Sequence, residues 1–127
     1  MSKYKSSKVI IDWYLFDSKT EAAYYEEHKH IPWLRVHPCY ELQPAFRWDD
    51  GKKVHAITYE ADFAYDNVVV DVKWLPTQAA LLKRKMFLYR YPQFDLQWVV
   101  KYKWERVDYF ANQKRRRQAR KERLNNL

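Results

Sequence analysis

Tyr59-Glu60-Ala61-Asp62-Phe63-Ala64-Tyr65-Asp66-Asn67-Val68-Val69-Val70-Asp71-Val72-Lys73 is the stretch on which the fold turns. Asp66-Asn67 has turn chemistry, since both residue types tolerate positive φ. The segments on either side read as strands, about Val54 to Tyr65 and Val68 to Trp74. With a two-residue loop, Tyr65 faces Val68, Asp62 lies opposite Asp71 and Glu60 lies opposite Lys73. Paired residues of an antiparallel ladder share a face, so these four side chains point the same way. The other face carries Ile57, Tyr59, Ala61, Phe63 and Tyr65 against Val68, Val70 and Val72, an apolar surface for the core.

Two carboxylates placed directly opposite each other repel, and a purely structural strand pair would avoid them. Asp71 also interrupts a valine run typical of a buried strand. A divalent cation between the acids changes the sign of the interaction, and hard oxygen donors suit Mg²⁺ or Mn²⁺. Lys73, two residues beyond Asp71, brings an ammonium to the same face. Such a group can orient or help deprotonate an attacking water. The competing explanation is an ordinary Glu60–Lys73 cross-strand ion pair, with the aspartates turned to solvent.

Working outward, Asp50-Gly51 signals a second hairpin, and Gly51 is the only glycine. A two-residue loop there puts Gln43 opposite Thr58 and Glu41 opposite Glu60, so that Gln43, Thr58 and Glu60 extend the polar strip beside the aspartates. Tyr40, Leu42, Pro44, Phe46 and Trp48 alternate on the facing side. Upstream, Ser18-Lys19-Thr20-Glu21 has the spacing of a capping box and opens a helix that ends near Pro32. On that pattern Glu21 is first the reciprocal half of its cap. Residues 1–9 are polar and are expected to be mobile. Downstream, Pro76-Thr77 starts a helix through Lys83-Arg84-Lys85 to about Tyr91, before Pro92. Leu96, Trp98, Val100, Tyr102 and Trp104 alternate as a last strand, and a basic helix follows from about Asp108. The order is helix, three-strand meander, helix, strand, helix. That is an α/β (α+β) layered domain, with a central mixed sheet of about four or five strands flanked by helices.

At 127 residues, with 47% hydrophobic and 18% aromatic residues, the chain suits one domain with its own core. The boundaries fall at 1–113 for the domain and 114–127 for a basic C-terminal tail. The single cysteine, Cys39, permits no internal disulfide and fits a reducing compartment. No signal-peptide pattern or apolar run of bilayer length is present, so a cytoplasmic protein is expected. The formal net charge is +8, and six of those charges come from Lys114 to Arg123, KRRRQARKER. Such a tail suits a polyanion, through release of condensed counterions. A solvated helix end is the plainer alternative. His28-x-His30 and His37-Pro38-Cys39 match no common closed zinc site. One glycine cannot build a phosphate-cradling loop.

Ala61-Asp62-Phe63 followed by Val70-Asp71-Val72-Lys73 resembles the signature of the PD-(D/E)XK nuclease superfamily. The helix opened by Ser18-Lys19-Thr20-Glu21 resembles the one that supplies its accessory glutamate. The ordered string Phe16-Asp17-Ser18-Lys19, Glu41-Leu42-Gln43-Pro44, Tyr59-Glu60-Ala61-Asp62-Phe63 and Asp71-Val72-Lys73 is similar to small phage-encoded endonuclease and Holliday-junction-resolvase-like members. The similarity spans about residues 3–95. The literal Pro-Asp pair is replaced by Ala61-Asp62. The resemblance implies a restriction-endonuclease-like core, Mg²⁺-dependent (or Mn²⁺-dependent) DNA cleavage, action in a bacterial host cell, and frequently a homodimer. It makes Asp62, Asp71 and the Val72 carbonyl metal ligands. Lys73 becomes the water-orienting residue, and Glu21 a further acid near the metal. DNA contacts are expected from Gln43, Thr58, Lys83, Lys85, Arg115, Arg116 and Arg117. The expected activity is structure-selective or weakly specific endonucleolytic hydrolysis of phosphodiester bonds, with branched DNA or Holliday junctions the favoured substrates. The alternative is a non-catalytic DNA-binding or recombination accessory protein that retains the fold. A protein-interaction module with a basic docking arm is a third possibility.

Overall fold

A computed structural model describes residues 7–72, 76–107 and 109–126. In chain order the elements are β1 (Val9–Ile11), β2 (Tyr14–Phe16), α1 (Lys19–His28), β3 (Arg35–Val36), β4 (Cys39–Gln43), β5 (Phe46–Arg47), β6 (Lys53–Val54), β7 (Ile57–Glu60), β8 (Phe63–Tyr65), β9 (Val68–Val72), α2 (Gln78–Arg90), β10 (Asp95–Val99) and α3 (Tyr109–Asn125). The fold is mixed α and β. Its centre is a four-stranded mixed sheet in the order β10-β9-β8-β3. Two apolar clusters flank that sheet.

The β8–β9 hairpin has the register read from the sequence: Tyr65 faces Val68, Ala64 faces Val69 and Phe63 faces Val70. Asp66 takes φ 48°, a left-handed conformation that aspartate tolerates. β10 lies parallel to β9, with Leu96 beside Val69 and Trp98 beside Asp71. Parallel neighbours need a crossover, and α2 supplies it. Thr77 caps α2 by accepting from the Ala80 amide at 3.0 Å, and the helix ends at Tyr91 before Pro92. Phe87, fully buried on this helix, packs with Tyr40, Leu42, Tyr59, Ala61, Ala64, Val69, Leu96 and Trp98 on one side of the sheet. On the other side, Phe63, Val70 and Val99 meet Phe16, Ala22, Tyr24 and Tyr25. Of the three α1 residues, Ala22 and Tyr25 stand three apart on one helix face, and Tyr24 packs beside them. Ser18 caps α1 as expected, accepting from the Glu21 amide at 3.1 Å.

Four expectations require correction. First, the strand from Val54 to Tyr65 is not straight. β3–β4 and β7–β8 share one antiparallel register, from Arg35 opposite Ala64 to Glu41 opposite Thr58, but bend midway. His37 faces Asp62 there, donating its amide to the Asp62 carbonyl at 2.9 Å, and the Ala61 amide reaches the Pro38 carbonyl at 3.0 Å. His37 holds φ 55°. The bend turns Tyr59 and Ala61 into the α2-side cluster, while Phe63 and Tyr65 join the α1 side.

Second, the Asp50-Gly51 hairpin does not have a two-residue loop. The Gly51 amide bonds the Trp48 carbonyl and the Trp48 amide bonds the Lys52 carbonyl, both at 2.9 Å, with Gly51 at φ 81°. Three residues therefore turn the chain, with the left-handed glycine of a bulged hairpin. A second irregularity between Glu41 and Gln43 shifts the pairing again. Gln43 accordingly faces Ile57, Thr58 faces Glu41, and Glu60 faces Cys39.

Third, the last strand stops at Val99. Lys103 and Trp104 adopt φ 53° and 51° in a short 3₁₀ turn, and the chain returns so that Arg106 bridges Val99. Trp104 packs edge-on to Tyr24 at 5.1 Å and donates its indole N–H to Glu27. The N-terminal expectation is also too pessimistic: Val9 begins a hairpin whose turn, Asp12-Trp13, has φ 51° and 71°. α3 is helical as read from the sequence, and residues 117–126 are exposed. No described helix is long and apolar enough to cross a membrane.

Candidate functional site

The bend at Ala61–Asp62 builds the site. Where β7–β8 leaves the β9 ladder, the Asp62 amide still bonds the Val70 carbonyl at 3.1 Å. The next rung is closed by a side chain: the Val72 amide donates to Asp62 Oδ2 at 2.7 Å. Asp62 is thereby pinned to β9, one residue from Asp71 along the strand. The two carboxyls share a hydrogen bond. A bent strand, not the straight one expected, thus brings the two aspartates together.

Asp71 is only 2% exposed. The Tyr59 hydroxyl donates to its Oδ2 at 2.5 Å, and the Trp98 indole N–H donates to that same hydroxyl at 3.0 Å. Burial and the negative charge of Asp71 push the Tyr59 hydroxyl far above the ordinary phenol value, so it stays protonated and remains a donor. Trp98 is fully buried, and the Arg84 guanidinium lies 4.7 Å above its ring.

Glu21, 5% exposed, contributes a third acid from the first turn of α1. Its Oε1 lies 2.8 Å from His37 Nε2, and its Oε2 accepts from the Asp17 amide at 3.3 Å. The Glu21 carboxylate thus returns to the amide one residue before the capping-box position at Ser18, and through His37 it joins the helix start to the bend. Phe16, 5.8 Å from the His37 ring, shields this contact.

The electrostatics follow from this crowding. Burial, the charge of Asp71, the hydrogen bond with Asp71 and the charge of Glu21 together push the Asp62 carboxyl up to about 10, against the opposing effect of the Val72 amide. Without a counter-cation, the Asp62–Asp71 pair holds a proton at neutral pH. Hard oxygen donors that must share a proton to coexist are chemically suited to a divalent cation. Asp62 and Asp71 could hold one, with the Val72 carbonyl and Glu21 nearby in the chain's arrangement. Among the described residues no group of three or more His, Cys, Asp and Glu side chains forms a ready-made cage. Two carboxylates alone match the habit of Mg²⁺ of keeping several waters.

The other sequence candidates fall elsewhere. Lys73 lies outside the described residues, and with it the expected Glu60–Lys73 pairing. Gln43 and Thr58 do not extend the acidic strip: Thr58 lies exposed on the side of β7 opposite buried Tyr59, and Gln43 is half-buried opposite Ile57. Lys83 is half-buried and Lys85 exposed on α2; Arg117 is exposed on α3, and the Arg115 and Arg116 side chains lie outside the described set. His28 stacks on Tyr24 at 3.8 Å and Cys39 is exposed.

Tyr59, Trp98 and His37 were not legible as site residues. Alternation assigned Tyr59 to the opposite face, and only the bend reverses it. Pro38 was the available signal, because a proline cannot donate to a ladder and marks where a strand pair is interrupted. Tyr59→Phe should leave the fold intact while freeing Asp71 from its donor. We expect a loss of about 10- to 100-fold in divalent-ion affinity, the usual scale for removing a ligand's supporting hydrogen bond, read by Mn²⁺ titration.

These features define a mixed α/β domain in which a half-buried acid, Asp62, is paired with a buried one, Asp71, beside the central sheet. The chain belongs to the family described as "Protein of unknown function (DUF1064)", whose model matches residues 1–106. No curated protein and no solved structure matches it.

Proposed function

We propose that the protein is a metal-dependent DNA endonuclease with a restriction-endonuclease-like core of the PD-(D/E)XK type. The observation that carries this reading is the hydrogen-bonded pair of Asp62, at the bend before β8, and Asp71 on β9, beside a sheet flanked by helices, with Glu21 close enough to raise Asp62 further. A bound Mg²⁺ or Mn²⁺ would supply a polarised phosphate oxygen and a water of lowered pKa. The protein's own contribution is positioning. Tyr59 and Trp98 orient Asp71, the Val72 amide orients Asp62, and His37 holds Glu21 at the mouth of α1. In this reading Lys73 orients the attacking water, and basic groups on α2 and α3 hold the phosphate backbone. Cleavage of branched DNA is the favoured specificity, because a small basic domain without a base-reading motif reads shape more readily than sequence.

The test is cleavage of linear, flapped and four-way DNA with Mg²⁺ or Mn²⁺. Lys73→Ala should reduce the rate by at least about 10²-fold, the usual scale of a positioned proton-transfer or electrostatic group, with DNA binding in EDTA retained. A Lys73→Ala variant that cuts at the wild-type rate would refute the assignment. A second reading, a non-catalytic DNA-binding accessory protein, is favoured by one observation: six of the eight net positive charges lie at residues 114–123, beyond the matched residues 1–106. Binding without cleavage on all three substrates would select it.

A further inference from the structure

The β5–β6 hairpin is a second feature that its own stability does not explain. Pro44 to Lys53 are all exposed, Phe46 by 42% and Trp48 by 60%, and β5 and β6 form a two-stranded sheet by themselves. Arg47 and Lys53 are directly opposed in its ladder. Like charges at opposed positions destabilise a strand pair. Arg47 spends one guanidinium N–H on the Gly51 carbonyl at 2.9 Å, and Asp50 is drawn to Lys52 instead, at 3.9 Å. Both opposed cations line a concavity of about 210 Å³, whose remaining walls are Ala45 and Phe46.

We propose that this ribbon is a DNA-binding arm, in which Arg47 and Lys53 clamp backbone phosphate while Phe46 and Trp48 supply apolar contact to sugar or base. A phosphate between the two cations turns their repulsion into attraction, as a polyanion does for any such pair. A two-stranded ribbon also has the cross-section that the major groove admits. The ribbon keeps the register of the Gln43–Ile57 pair, and beyond it the pairing shifts by one residue on the way to the bend at Asp62. Lys53 is nine residues from Asp62, at most roughly 30 Å along a strand. At about 3.4 Å per base pair, the arm meets DNA no more than about nine base pairs from a phosphate held at the acids. The arm deepens the nuclease reading, but its own test requires no cleavage.

The experiment is fluorescence anisotropy of the full chain with a labelled 30-base-pair duplex in EDTA, over a salt series, comparing wild type with the Arg47→Ala/Lys53→Ala double variant. The arm predicts a salt slope shallower by about 1–2 for the variant, because each lost phosphate contact removes roughly 0.9. Trp48→Ala should weaken duplex binding severalfold, by loss of its apolar contact to sugar or base edge. Thermal unfolding of the double variant should be unchanged or slightly raised, since an exposed repulsion is removed. An unchanged slope and affinity overturn the arm, and if wild type still cleaves in Mg²⁺ the nuclease reading survives that failure. A shallower slope in a protein that cleaves nothing establishes the arm and defeats the nuclease. A dimer that the double variant dissociates, with DNA affinity per protomer unaltered, also overturns the arm, by showing that the ribbon pairs copies of the chain.

Discussion

Asp71→Asn should abolish Mg²⁺-dependent cleavage, by about 10³-fold or more, yet make the metal-free protein more stable at pH 8. The two effects share one cause. In the folded chain the Asp62 carboxyl is pushed up to about 10 by burial, by Asp71 and by Glu21. In the unfolded chain it titrates near 3.9. The folded state therefore binds more protons between these values, and stability declines as pH rises through them, by up to about 1.4 kcal/mol per pH unit. The contribution is complete below about pH 4 and is lost as pH approaches 10. Replacing Asp71 by the isosteric amide removes the repelling charge but keeps an acceptor for Tyr59. In EDTA at pH 8 the variant should exceed wild type by about 1–3 kcal/mol, the scale of an uncompensated buried polar group. Added Mn²⁺ should raise the melting temperature of wild type and leave the variant unmoved, by simple linkage. Denaturation at pH 5, 7 and 9, with and without Mn²⁺, reads every part of this expectation.

Trp98→Ala should be the most destabilising single change among the site's supports, costing about 3–5 kcal/mol in urea unfolding. The side chain is fully buried, lies beside Asp71 in the parallel register, and packs in the cluster that also holds Phe87 and Leu96. Its removal opens a cavity and takes the indole N–H from the Tyr59 hydroxyl, so both packing and the Asp71 contact suffer. Trp98→Phe separates them. It restores most of the volume, so stability should recover by more than half while Mn²⁺ affinity stays below wild type. Equal recovery of both would show that Trp98 acts only by filling space.

Much of this was legible in advance because it rests on short-range chemistry. The Ser18 cap, the Asp66-Asn67 turn, the Thr77 start and the Pro92 stop each depend on a few adjacent residues, and each stands where the pattern put it. The juxtaposition of Asp62 with Asp71 followed from that one turn. The errors arose where a local irregularity changes everything beyond it. One additional loop residue at Asp49-Asp50-Gly51 and the shift between Glu41 and Gln43 moved Gln43 away from Thr58. The bend opposite His37 sent Tyr59 and Phe63, which share a face in a straight strand, to opposite sides of the sheet. Period-two counting carries no information about such insertions, since a slip of one residue leaves the apolar alternation on each strand intact. The β1–β2 hairpin was missed for a different reason. Its turn, Asp12-Trp13, places a tryptophan where asparagine or glycine is usual.

The most direct measurement is calorimetric titration of Mn²⁺ into the wild-type chain and into Asp62→Asn and Asp71→Asn at pH 8. If the paired acids trap a divalent ion, wild type should bind with release of protons as Asp62 ionises, and each variant should lose at least tenfold in affinity. A wild-type chain that takes up no Mn²⁺, or variants that bind it equally with the same proton release, would mean that these carboxyls only brace the sheet.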